Sequence, residues 1–285
     1  APGAASANGC SLRFAQGTQG TTADPIRIAT VSDLTTFATS NACYASSYVF
    51  RQTADIDLAD AHWTPAGLGG PTGFNGTYDG GGHAVANFVI TDADSVSYKG
   101  LFGRVSGGTI RNLTVRGATI TGTVSYYGAL IGDLDDGLVE DVRVENASVT
   151  STGDSQSSIA GAIGGAGNST IRRLAVVNTT VTATQATTVN VGGVLGDAQA
   201  STLSAVTATG VRVDSAGTAV GGIAGRIDQS SLVTSTSAGS VTGAGTVGGV
   251  AGYTGCTSVQ SSSSSATVVA TASRAGGLIG VVYGW

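Results

Sequence analysis

The chain has 285 residues, of which 45 are glycine and none is methionine, and 13 Lys and Arg against 18 Asp and Glu leave a formal charge of −5. With no basic stripe it has no surface for nucleic acid, and with no apolar run of about 18 residues it has no membrane-spanning helix. Glycine without a three-residue period and only 4 prolines exclude collagen and argue against a disordered tract, while 41% apolar residues suffice for a continuous core.

Residues 1–47 read as a lead-in and cap. The opening APGAAS resembles the stretch left after signal-peptide cleavage, which implies export, although an arbitrary cut in a longer chain would look the same. Residues 1 to about 24 are expected to be irregular, and Ile26 to Ile28 alternate like a short strand. Ser32 then reads as the cap of a short helix through Leu34, Phe37 and Ala38, placed to cover the open end of a β-solenoid. In an exported chain Cys10 and Cys43 are candidates for a disulfide, three reduced thiols being the alternative, and Cys256 is left over.

Residues 48–98 return to alternation and read as first rungs, including the DGGGH corner at Asp79 to His83. From Lys99 to the end, residues 99–285, a five-residue signal recurs: KGLFG at Lys99, GALIG at Gly128, GAIGG at Gly161, GGVLG at Gly192, GGIAG at Gly221, GGVAG at Gly248 and GGLIG at Gly276. The spacing of 27–33 residues marks a solenoid, whose units bury their apolar faces only by stacking. Two aliphatic columns follow each motif: Ile110, Val139, Ile171, Leu203, Leu232, Val259, and Ile120, Val149, Val181, Val213, Val241, Val268. These patterns predict an all-β fold, a parallel β-helix with three short strands per rung and a short N-terminal capping helix; right-handed coiling is the expected hand. Helical repeats are excluded, because the units lack long stretches of good helix formers.

An ordered set of segments runs from Asp55, Ile56, Asp57, Leu58 through Trp63, Thr64, Pro65 and Phe74, Gly76, Thr77, Tyr78, Asp79, Gly80, Gly82, His83. It continues to Gly100, Leu101, Phe102, Gly103 and Ile110, Arg111, Asn112, Leu113. This order resembles the entry into a GLUG-repeat array of bacterial surface proteins. The resemblance implies a secreted or surface-attached, adhesin-like chain without a shared catalytic site. Two departures stand out: Gly164 takes the place of an apolar residue in GAIGG, and the last units carry Ser where Leu113 and Val115 stand earlier, which predicts a narrower, partly polar core late in the rod.

Three features bear on chemistry. The acidic segment DLDDGLVEDVRVE offers Asp133, Asp135 and Asp136 as a carboxylate cluster, with Arg104 and Arg143 expected nearby; such groups serve acid–base chemistry on sugars, and a solvated turn is the structural alternative. Asp197 and Asp228 occupy the equivalent corners of later units without an obvious second cluster. Residues flanking the last column, Thr119 and Thr121, Ser148 and Thr150, Thr180 and Thr182, Ser240 and Thr242, are expected to stack in two exposed columns. Such an array orders water in ice-binding solenoids, but Arg212 and Asp214 interrupt it.

His62 and His83 are the only histidines, and no spacing supplies converging metal ligands; His83 reads as a hydrogen-bonding corner. Asp92 and Asp94 lack the rest of a calcium loop. Five Asn-x-Ser/Thr sequences, at Asn75, Asn112, Asn146, Asn168 and Asn178, are expected from composition alone. No motif calls for a cofactor, and the oligomeric state is left open. The expected function is an exported, non-catalytic module for adhesion or for binding a glycan or cell-surface partner. The alternatives are a polysaccharide-active hydrolase or lyase using the Asp cluster and an ice-binding rod.

Overall fold

In a computed structural model the described residues are 9–44, 47–68, 73–91, 96–123, 125–153, 157–184 and 189–284. The Asp92 and Asp94 pair lies outside them. The N-terminal end contains a helix, α1 (Ser11–Gln16), within the lead-in expected to be irregular. The Cys10–Cys43 disulfide fixes its start, buried Leu12 holds its inner side, and Gly17 ends it at a φ of 67°. The single helix expected from the sequence is present as α2 (Val31–Thr39), but Thr30 caps it instead of Ser32. Thr30 Oγ1 accepts the Asp33 amide and the Asp33 carboxylate accepts the Thr30 amide, so two otherwise unpaired donors are satisfied together. The helix buries Leu34, Phe37 and Ala38, and Phe37 meets Phe50, Phe74, Tyr78 and Phe102 at centroid distances of 4.7, 5.4, 5.5 and 6.1 Å. The solenoid is thereby closed at one end by aromatic packing.

The rest of the described chain is a parallel β-solenoid of about eight turns, roughly 38 Å long at ~4.8 Å per strand. Its strands form sheets of seven, seven and eighteen members. One turn illustrates the path: Ser125–Tyr127 in the first sheet, Ile131–Asp135 in the second, then Leu138–Glu145 and Ser148–Ser151 in the third. Val139 pairs with Ile110 and Ile171, and Val149 with Ile120 and Val181, so both aliphatic columns form as the sequence predicts. Corners inside and between these strands place single residues in the left-handed region, among them Asn112, Asn146, Asn168 and Asn178 at φ of 51°, 55°, 48° and 48°. Asparagine tolerates that region better than most residues. Four of the Asn-x-Ser/Thr sequences therefore have a structural origin.

The glycine motif is the corner between the first and second sheets: in GGVLG, Val189–Gly192 ends one strand and Leu195–Gln199 begins the next. Register also corrects the apparent departure at GAIGG. Ala160 pairs with Gly192 and Ile163 with Leu195, so the equivalent five residues are Ala160 to Gly164, and Ile163 fills the apolar place. The late core is small and polar as expected. The Val115 column passes through Val144, Val176 and Ala208 to Ser237 and Ser264, and Ser237 Oγ bonds the Gly249 carbonyl and Ser264 Oγ. At another corner Ser169, Ser201 and Ser230 stack, each hydroxyl accepting an amide from the preceding rung at 2.9–3.1 Å. Serine here satisfies backbone donors that burial would otherwise leave unpaired.

Candidate functional site

The fifth glycine of each motif explains the shape of the corner. A Cβ on Gly196 would lie 2.6 Å from the Ile159 nitrogen and 2.5 Å from the Gly164 oxygen, both on the preceding rung. Only glycine lets the backbones of the two sheets fold so closely together, and their outer faces form a concave strip along the rod. The residue after that glycine faces the strip from the second sheet. Down the ladder this column reads Arg104, Asp133, Gly165, Asp197, Arg226, Tyr253, Val281. Tyr98, Tyr126, Ser158, Asn190, Ala219 and Thr246 face it from the first sheet.

Tyr98 and Tyr126 stack at 5.7 Å and 18°, with the Arg104 guanidinium 5.9 Å from the Tyr98 ring. Gly165 makes room for Tyr126, whose ring carbons would lie 2.8 Å from a Cβ there. Asp133 and Asp197 flank that gap two rungs apart, about 9.6 Å at ~4.8 Å per strand. Burial raises both carboxyls above the ordinary range, outweighing Arg104 at 3.3 Å from Asp133 and Arg226 beside Asp197. Oδ1 of Asp197 is buried without a hydrogen-bond donor. Burial, followed by these two carboxylates, also raises the Tyr126 hydroxyl.

The structure divides the predicted acidic cluster. Asp133 and Asp135 lie in neighbouring columns of the second sheet, but Asp136 is exposed at a left-handed corner, φ 50°, and turns away from the strip. Arg104 joins Asp133 as expected. Arg143 does not; it pairs with Glu145 at 2.6 Å on the third sheet, where Glu140 and Asp141 are also held by arginines. Asp197, read as an isolated corner, belongs to the Asp133 column, and Asp228 to the Asp135 column. The sequence signal for this was the residue following each fifth glycine, masked by the one-residue offset at GAIGG.

The Thr/Ser columns form in register: Thr119, Ser148, Thr180, then Arg212, Ser240, and Thr121, Thr150, Thr182, then Asp214, Thr242. Arg212 and Asp214 pair with each other at 3.0 Å and divide the face. His83 Nδ1 lies 3.2 Å from Asp55 Oδ1, the corner role expected of it. Lys99, the only lysine, is buried, its Nζ donating to the Thr91 and Thr121 carbonyls at 2.7 and 3.0 Å. Among the described residues no three His, Cys, Asp or Glu side chains converge as a metal site, and no helix is long and apolar enough to cross a membrane.

No family model matches the chain. An alignment of 111 positions that covers 36% of the chain is 32% identical to halomucin of Haloquadratum walsbyi and spans 1% of that protein's length. Among solved structures, a Bacteroides ovatus protein proposed to be an immunoglobulin A1 protease superposes with a TM-score of 0.68 at 18% identity, covering 90% of this chain and 86% of the other. That likeness is one of fold.

Proposed function

We propose that the chain is a β-helix module of an exported surface protein of the GLUG-repeat kind, and that its concave strip binds a glycan or glycan-bearing partner. The make-up of the strip carries this reading. Stacked tyrosine faces suit the apolar C–H faces of sugar rings, while Asp133, Asn190 and Asp197 beside them suit the hydroxyls. The partial likeness to halomucin, a mucin by name, supports a surface setting. A glycan array and a polysaccharide-depolymerisation screen on one preparation test it together. Binding without chain cleavage, weakened at least tenfold by Tyr126→Ala, is the expected result, and absence of any glycan binding would sink the proposal.

One observation favours a second reading, a polysaccharide-cleaving enzyme. Two carboxyls raised by burial face one strip from strands about 9.6 Å apart at the backbone, close to the ~6.5–9.5 Å across which one carboxyl protonates a leaving group and the other activates water. On that reading the pair is Asp133 and Asp197 instead of Asp135 and Asp136. New reducing ends that disappear in both Asp133→Asn and Asp197→Asn would establish it over the binding module.

A further inference from the structure

Toward its C-terminal rungs the strip deepens into a cleft of about 420 Å³, lined by Asn190 and Thr246 from the first sheet, Arg226 and Tyr253 from the second, and Arg274 and Tyr283. Tyr253 and Tyr283 stack at 5.4 Å and 27°, a second aromatic platform separate from Tyr98 and Tyr126. The cleft contains two guanidinium groups in unlike states. Arg226 is met by Asp228 at 2.8 Å, faces Asp197 on the neighbouring strand, and lies 5.5 Å from the Tyr253 ring. Arg274 has no side-chain ion pair or hydrogen bond among the described residues, so its charge and donors are unspent. Between residues 216 and 284 the charged residues are Arg226 and Arg274 against Asp228, a net of +1 in a chain whose formal charge is −5.

Along the strip Asp133 and Asp197 are each faced by an arginine, Arg104 and Arg226, whereas Arg274 at the far end has no carboxylate facing it. One unpaired guanidinium suits a polymer whose acidic groups are spaced, with one of them at this cleft. Building on the binding reading above, we propose that this cleft takes one acidic sugar of a saccharide chain. Its carboxylate or sulfate meets Arg274, its ring lies against the Tyr253 and Tyr283 pair, and its hydroxyls reach Asn190 and Thr246. Guanidinium is suited to either anion, because its planar fork donates two parallel hydrogen bonds.

Titration calorimetry of the full chain with hyaluronan oligomers, chondroitin sulfate oligomers and neutral dextran tests the assignment, using Arg274→Gln, Arg274→Lys and Tyr126→Ala. The Arg274 side chain has no partner among the described residues, so Arg274→Gln should melt like wild type. The expected result is binding of at least one acidic oligomer that weakens tenfold or more in Arg274→Gln and with added salt, and is partly restored in Arg274→Lys. Preference for the hyaluronan oligomers names the carboxylate and preference for chondroitin sulfate the sulfate; both support the proposal. Unchanged acidic affinity in Arg274→Gln, or dextran held as tightly as the acidic oligomers, overturns it. If dextran binds and Tyr126→Ala abolishes that binding, the glycan reading survives and the acidic cleft falls. If none of the three binds, the acidic cleft falls, and the glycan array decides the wider reading.

Discussion

Asp197 owes its behaviour to its neighbours in the ladder, Gly165 on one side and Arg226 on the other. Its Oδ1 has no donor, and burial outweighs Arg226 and the Ala198 amide in raising the carboxyl above the ordinary carboxylate value of about 4. Between that value and the raised one the folded chain keeps a proton that the unfolded chain has released. Stability therefore falls as pH rises through this window, and the loss persists above it. Asp197→Asn removes the titration, so its stability relative to wild type should be more favourable at pH 7 than at pH 3, as read by urea midpoints. An equal displacement at both pH values would contradict this account. Glu145 has the opposite sign: Arg143 and Arg116 hold its carboxyl low, so the stability it adds is lost as pH falls through the lowered value.

At the scale of the element, the motif corner depends on backbone approach. A Cβ on Gly193 would lie 2.2 Å from the Gly222 carbonyl oxygen, which no rotamer change can relieve. Gly193→Ala is expected to destabilise the rod by about 1–3 kcal/mol, measured by denaturant unfolding. At the cap, Phe37→Ala should cost about 3–5 kcal/mol and loss of the Cys10–Cys43 disulfide about 2–4 kcal/mol. The period, the two aliphatic columns and the polar late core were legible because inward residues must repeat when rungs stack. The strip was not, because outward residues vary: Asp133, Gly165 and Asp197 share a column only once Ile163 is paired with Leu195. Helix α1 was hidden for a related reason. At six residues it is too short to hold a helix by itself, and the disulfide with buried Leu12 supplies the stability.

Across the whole molecule the two ends are unlike. The N-terminal end carries α2, the aromatic cluster around Phe37 and a disulfide, whereas the rung holding Val259, Val268 and Leu278 has small neighbours and leaves them partly exposed. Its inward residues are small: Ser262 and Ser264 stand late in columns begun by Leu113 and Val115. In a solenoid each rung is stabilised by its own residues and its neighbours, so a rung with a small, partly polar core opens before one packed with larger side chains. Hydrogen exchange followed by mass spectrometry should find amides at Ser258–Gln260, Thr267–Ala270 and Ile279–Tyr283 the least protected of the ladder. Those at Ile131–Asp135 and Leu195–Gln199 should exchange more slowly by roughly tenfold or more. Opening from the C-terminal end would also dismantle the cleft at Arg274 and Tyr283 before the Tyr98 and Tyr126 platform. An acidic oligomer bound there should therefore slow exchange most in the last rung, while uniform protection of every rung in the free chain would contradict the one-sided ordering.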